Sequence, residues 1–364
     1  MSGHIRAVID TNALQHNFSV IRARAGAARV MAVVKANAYG HGLMATASAL
    51  PAADAFGVAR LEEGILLRRA GITQPIVLLE GVFDAQQLER AAEHRLDLVV
   101  HDALQIGLLE RPQAGAQRFV LWIKIDTGMN RLGFPVAEFA AALERLRRLA
   151  PAARELRLLT HLACANERDD AVTREQLARF RHATRGLEYA VSIANSAGLF
   201  GAVPLQCDWV RPGVALYGAS PFADCSAEDL GLRPVMTLES SVIAVRRVAR
   251  GERVGYGGAW VAARDSVIAI VAAGYGDGLH RSLATGAPVL VGGRRAPLAG
   301  RVSMDMLAVD VSELGEVRIG TPALLWGPGL AVEEVARHAG TIPYELLCAV
   351  NQRVQLVVGR PEAG

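Results

Sequence analysis

Residues 32–42 read AVVKANAYGHG, an apolar, β-branched run that ends on Lys35 and passes into Asn37, Tyr39, Gly40, His41 and Gly42. Such a run reads as a buried strand, and a buried strand is a poor place for an ammonium group. The conflict is resolved if the lysine sits at the C-terminal end of a parallel strand, where barrel enzymes keep their chemistry. The pattern recurs seven more times. Apolar runs end at Ala59, Glu80, Asp102, Asp126, Ala163, Ser196 and Gly218. Between several of them lie helical stretches with 3.6-residue periodicity, such as VAEFAAALERLRRLA (136–150) and TREQLARFRHAT (173–184). Eight strands alternating with helices predict an α/β fold with a parallel sheet, and eight is the number that closes a TIM-type (β/α)8 barrel. An open doubly wound sheet shares the pattern.

The pattern changes after about residue 231. SSVIAVRRVARGERVGYG, DSVIAIVAAGYG, APVLVGGRRAPLAGRVSMDMLAVDV and TPALLWG are β-runs divided by Gly, Pro and charged turns, followed by a single helix candidate at 331–340. The expected division is a barrel over 11–230 and a smaller, mainly antiparallel β domain over 231–364. A strand at 3–10 need not belong to the barrel and is a candidate to pack with the second domain.

Bulk composition removes several function classes. The chain has 364 residues, half of them apolar, and a net charge of +3. That charge is too small, and its arginines too dispersed, for a nucleic-acid surface. No apolar stretch reaches the length of a membrane span. The four cysteines, Cys164, Cys207, Cys225 and Cys348, are scattered without a CxxC, so neither zinc nor a disulfide framework is indicated. These features predict a cytoplasmic enzyme without a metal. One detail is sharper: of 39 basic residues only Lys35 and Lys124 are lysines, and both close apolar β-runs. A primary amine can lose its proton and form an imine or a carbamate, whereas a guanidinium stays charged.

Polar residues collect at the predicted strand ends: Lys35, Lys124 with Asp126, His161, Asn195 with Ser196, and Arg211, with Arg131 in the loop TGMNRLGF. Taken singly each has an ordinary explanation. His161 fits a hydrogen-bonded core histidine, Asn195-Ser196 a helix N-cap, and Arg211 a structural ion pair. Together they meet one set of demands. Ser196 and the RPG at 211–213 suit a phosphate, an imidazole suits a flat heteroaromatic ring, arginines suit a ring nitrogen and a phenolate, and a lysine suits a covalent imine. Pyridoxal 5'-phosphate (PLP) has all four features.

The motifs AVVKANAYGHG, KIDTGMNRLGF, IANSAG, VRPGVALYG, VGYGGAW, AGYGDGLHRSL, GRVSMDMLAVDV and TIPYELLCAV resemble, in order, those of the alanine racemases, from about residue 5 to residue 355. The resemblance implies a PLP-dependent isomerase that interconverts L- and D-alanine, with the barrel plus a C-terminal β domain, working as a homodimer. By that resemblance Lys35 holds the cofactor as an imine. Tyr39, Asn195, Ser196, Gly213, Val214 and Tyr344 surround it at the phosphate, Arg211 faces the pyridine nitrogen, Arg131 the phenolic oxygen, and His161 packs near the ring. Tyr256 is implied as the second base, from the partner subunit. Met304 binds the substrate carboxylate through its backbone, with Arg131 nearby. Tyr275, Arg281 and Asp305 line or support the entrance, and Lys124 is implied to be N6-carboxylated, although an ordinary lysine paired with Asp126 also fits. Ser303 and the segment THLACANE depart from the usual wording. Two flanking bases satisfy what racemisation requires, a proton taken from one face of the α-carbon and another delivered to the opposite face. The competing readings are a racemase of wider specificity acting on serine or lysine, a non-enzymatic PLP-carrier barrel, which would end before the second domain, and a barrel decarboxylase, which Arg211 disfavours.

Overall fold

The computed structural model describes residues 5–111, 119–149, 155–167 and 169–359. Residues 3–4 of the expected first strand, Arg118 at the start of the RFVLWIKID run, Ala150 at the end of one predicted helix and residues 360–364 of the second domain lie outside the described residues.

Eight strands form a closed parallel barrel: Arg29–Val33, Ala55–Val58, Ile76–Leu78, Asp97–Val100, Val120–Asp126, Glu155–Leu159, Val191–Asn195 and Trp209–Arg211. Each pairs in parallel with the next, and the last pairs with the first, which excludes the open sheet. The strands are apolar on both faces because both are covered. Met31, Ala55, Val77, Val99, Trp122, Leu159 and Trp209 pack together inside the barrel, while alternate residues face the surrounding helices. The Arg157 guanidinium lies between the Trp122 and Trp209 rings, 5.0 and 4.8 Å from their centroids, and is held by Glu155 at 2.6 Å. A charge is tolerated there because aromatic faces and a carboxylate replace its water.

Several strands end before the positions read from the sequence, the third at Leu78, the fourth at Val100 and the sixth at Leu159 rather than at Glu80, Asp102 and Ala163. The first strand stops at Val33, so Lys35 lies just beyond it. The eighth stops at Arg211 because Pro212 cannot donate to the ladder, and Val214–Tyr217 coils into a 3-10 turn. Tyr217, expected in a β-run, is thus a fully buried residue of that turn.

The second sheet is built on Met236–Val248, which pairs antiparallel with Ser266–Val271, Pro322–Trp326 and Arg6–Ile9. The N-terminal strand Arg6–Ile9 also pairs in parallel with Gln355–Val358, so both ends of the chain meet in this sheet. The sequence reading gave this region one helix; the structure has two, Val332–Ala339 and Pro343–Ala349. The second is only two turns long, too short to show a period, and begins on proline, which is favoured at the first helical position. It matters to the site: Gly40 packs so closely on it that a Cβ there would lie 2.1 Å from the Leu347 carbonyl oxygen. No helix among the described residues is long and apolar enough to cross a membrane.

Candidate active site

Lys35 opens an unusual turn at the barrel mouth. Ala36, Asn37, Ala38 and Tyr39 have φ values of 54, 53, 55 and 52°, four successive non-glycine residues in the left-handed region. That conformation costs about 1–2 kcal/mol per residue, and strain of this kind concentrates at functional sites. Specific contacts hold it. The Ala38 amide donates to Val34 O at 2.8 Å, the Leu43 amide to Asn37 Oδ1 at 2.9 Å, and the Ala36 amide to Glu63 Oε1 at 2.7 Å. His41 is fully buried, and burial pulls its pKa down to about 4, so the ring is neutral at pH 7. Its Nδ1–H donates to the Ala38 and Tyr39 carbonyls at 3.1 and 2.9 Å. Tyr217 stacks on both Tyr39 and His41 and donates its hydroxyl to Val33 O at 2.9 Å, fastening the strand that leads to Lys35.

The turn carries Tyr39 to the loops that follow the last two barrel strands. Ser196 Oγ accepts from the Gly213 amide at 2.9 Å and the Ala215 amide at 3.3 Å. A Cβ on Gly213 would stand 2.4 Å from the Tyr39 hydroxyl, so only glycine leaves room there. Tyr344, from the second short helix, brings its ring to 6.1 Å from that of Tyr39. Burial raises the pKa of both phenols, Tyr344 to about 12 and Tyr39 further, so both remain donors at neutral pH. Val214 begins the 3-10 turn, and its N–H has no partner inside that turn. Asn195 caps the short helix Ser196–Phe200 through the Gly198 amide at 2.8 Å. Hydroxyls and amides gathered around a glycine kept clear of side chain fit a phosphate group.

Deeper in the barrel the site is cationic. Arg211 is buried and donates to Ser192 Oγ at 2.6 Å and Thr160 O at 2.7 Å. Burial lowers its pKa to about 10, which leaves it charged at pH 7. Among the described residues nothing accepts from its Nε, which suits an incoming ring nitrogen with a lone pair. His161 Nδ1 lies 3.4 Å from the same guanidinium. Burial, then Arg211, Lys124, Arg131 and Lys35, hold this imidazole far below its ordinary pKa; neutral, it accepts at Nδ1 and carries its proton on Nε2. Lys124, on the fifth barrel strand, is pulled down to about 8 by burial, then by Arg131, Arg211 and, after the opposing Asp126, Lys35. Asp126 turns its Oδ1 to the Gly128 and Asn130 amides at 2.9 and 3.1 Å, and no ion pair joins it to Lys124 among the described residues. The residues fit PLP, with a cradle for its phosphate, a cation for its ring and an amine at the rim.

The structure therefore brings together Lys35, Tyr39, Lys124, Arg131, His161, Asn195, Ser196, Arg211, Gly213, Val214 and Tyr344. The remaining candidates lie in the second half of the chain, Tyr256 in the small hairpin of Arg253–Val254 and Trp260–Val261 and the others on loops of the second sheet. Tyr256 is 70% exposed on a turn whose neighbours Gly255, Gly257 and Gly258 all have positive φ. Tyr275 and Gly276 donate their amides to the Ser303 and Met304 carbonyls at 2.9 and 2.8 Å, knitting two exposed loops together. Arg353 binds Asp305 at 2.6 Å and Asp277 at 3.4 Å behind them. Arg281 is exposed. Sequence reasoning missed Glu63, Thr160, Ser192 and Arg353, whose partners in other elements lie 19 to 76 positions away in the chain; no local spacing marks them.

Comparison with known proteins agrees with this geometry. The sequence profile of the alanine racemase N-terminal domain matches residues 9–221, and that of the alanine racemase C-terminal domain matches residues 235–358. An alanine racemase of Nitrosococcus oceani is 49% identical over 350 residues, covering 96% of this chain and 98% of the relative. The biosynthetic alanine racemase of Pseudomonas aeruginosa superposes with a TM-score of 0.95 at 46% identity, covering 98% of this chain and 99% of that one. The alanine racemase of Acinetobacter baumannii gives a TM-score of 0.92 at 39% identity, covering 98% and 99%.

Proposed function

This chain belongs to the alanine racemase family and is an amino-acid racemase, an isomerase, and from that premise we propose that it interconverts L- and D-alanine with PLP attached at Lys35. The observation that carries the proposal is the half-buried lysine at the rim of a cationic barrel mouth, followed by a turn that brings Tyr39 against Gly213 and its partner Ser196. PLP, when bound, withdraws electrons from an attached amino acid and makes its α-proton acidic.

The chain's own groups do the rest. Tyr39, Asn195, Ser196, Gly213, Val214 and Tyr344 bind and orient the phosphate end. Arg211 offers its guanidinium to the ring nitrogen. Because it stays charged, it disfavours a proton on that nitrogen, which limits charge delocalisation into the ring and disfavours side reactions such as decarboxylation. Arg131 meets the phenolic oxygen and the substrate carboxylate, the Met304 backbone binds that carboxylate, and His161 packs against the ring. The Lys35 amine would exchange a proton with one face of the α-carbon, and the partner subunit's Tyr256 would serve the other. Tyr275, Arg281 and Asp305 shape the entrance. The reading includes a cytoplasmic homodimer and a division into two domains near residue 231. The test is a chiral assay of L-alanine, L-serine and L-lysine with PLP added. Alanine is expected to be converted at least about tenfold faster than either competitor; equal rates would indicate a broad-specificity racemase, and no conversion of any would overturn the proposal.

Lys124 is proposed to be carboxylated. An ammonium there is repelled by Arg131, Arg211 and Lys35, with Asp126 opposing them, whereas the neutral amine adds carbon dioxide, releases a proton and becomes an anion that binds Arg131. The sign follows from the lowered pKa. Uptake needs the neutral amine, so occupancy rises as pH increases through about 8 and falls below it. Carbon-13 bicarbonate should give a carbamate resonance at pH 8 that disappears in Lys124→Ala. A spectrum without it would leave Lys124 as a plain amine.

A further inference from the structure

The left-handed run 36–39 is the longest such non-glycine run among the described residues, and it begins directly after Lys35. Its internal contacts, from Asn37 and His41, shape the turn without placing it, because their partners lie within residues 37–43. The rings of Tyr217 and Tyr344 pack on it from other elements, but the side chain that hydrogen-bonds the run 36–39 to a neighbouring element is Glu63, in the helix Leu61–Arg69 that follows the second barrel strand. Glu63 Oε2 accepts from the Ala59 and Arg60 amides, both at 3.0 Å, and caps its own helix. Its other oxygen, Oε1, reaches across to the Ala36 amide at 2.7 Å. That N–H belongs to the peptide bond formed by the Lys35 carbonyl. Fixing this peptide plane fixes the backbone on which the Lys35 side chain stands.

We propose that Glu63 is a positioning residue for the Lys35 amine: it pins the peptide after Lys35 to the adjacent barrel loop and so sets the direction from which that amine meets the α-carbon. The inference rests on the reading of Lys35 as one of two bases. Glu63 itself touches neither substrate nor cofactor in this role. The two carboxylate oxygens have separate duties, which makes Glu63→Gln informative. Its single carbonyl oxygen can keep the helix cap, with two amides, while the amide nitrogen cannot accept from Ala36.

Glu63→Gln should fold like the wild type. In the cofactor-free protein, amide exchange in a peptide covering residues 34–42 should accelerate about tenfold or more, with a control peptide over 155–163 unchanged. In the holoenzyme kcat for alanine should fall about 10- to 100-fold, with KM moved less than about threefold. The primary isotope effect should grow for one α-deuterated enantiomer of alanine and not for the other, because only one face is served by Lys35. Glu63→Asp, too short to span both partners, should give the same selective pattern if the glutamine variant folds poorly. Unchanged exchange over 34–42, or isotope effects that rise equally for both enantiomers, would overturn the proposal. A wild-type protein without racemase activity would defeat the racemase reading instead, and the exchange measurement would still decide whether Glu63 holds the turn.

Discussion

Lys35→Ala should lower racemisation of alanine by about a thousandfold or more, since it removes both a base and the covalent anchor of the cofactor. Borohydride reduction of the wild-type holoenzyme should leave pyridoxyl mass on the peptide containing Lys35. The variant should remain unlabelled and should lose the absorption band of the lysine imine, while still binding PLP non-covalently through the cradle of Tyr39, Ser196 and Gly213. Label found on Lys124, the only other lysine in the chain, would invert the assignment of the two amines. The proteolytic mapping is unusually clean for that reason: a chain with two lysines has two candidate amines besides its N-terminus.

That scarcity is also why Lys35 is legible before any coordinates. An arginine-rich sequence that keeps a lysine at the end of a buried strand needs the chemistry of an amine. The barrel is legible for a related reason. Its strands are covered on both faces, so each is an apolar run such as VMAVV or LDLVV, and the helices between them show their period. Shorter elements carry less signal. Pro343–Ala349 holds Tyr344 and abuts Gly40, yet seven residues give no period to read.

The turn after Lys35 is illegible for a different reason. Ala36, Asn37 and Ala38 carry no local instruction for a left-handed path, apart from the tolerance of asparagine for it. Local bonds from Asn37 and His41 shape the conformation, and partners outside the segment place it. Glu63 comes from the next helix, and Leu347 from the far end of the chain packs against Gly40. The same holds for Arg211. Its sequence neighbours reveal a proline and a glycine, but its guanidinium is held by Ser192 on the neighbouring strand and by the Thr160 carbonyl just after another. Tertiary hydrogen bonds decide such groups, and a one-dimensional pattern does not contain them.

The exposure of Tyr256 leads to the second large effect. Tyr256 stands 70% exposed on the glycine-flanked turn between the short strands Arg253–Val254 and Trp260–Val261, and Val261, Tyr275, Met304 and Met306 are also exposed. If two copies join so that each second domain meets the other barrel, the arrangement is two-fold and every site is made of two chains. Lys35→Ala and Tyr256→Phe should then each be nearly inactive alone, with Tyr256→Phe reduced by about 100- to 10,000-fold. Unfolded together in equal amounts and refolded, they should pair at random, so that about half the dimers are mixed. Each mixed dimer has one site carrying both substitutions and one carrying neither, and activity should return to about a quarter of the wild-type level. If Tyr256 instead serves the Lys35 of its own chain, every site in every dimer keeps one defect and mixing restores nothing. Mass spectrometry of the refolded sample, showing that mixed dimers have formed, makes an absence of recovery count against the shared site while leaving the attachment of the cofactor at Lys35 untouched.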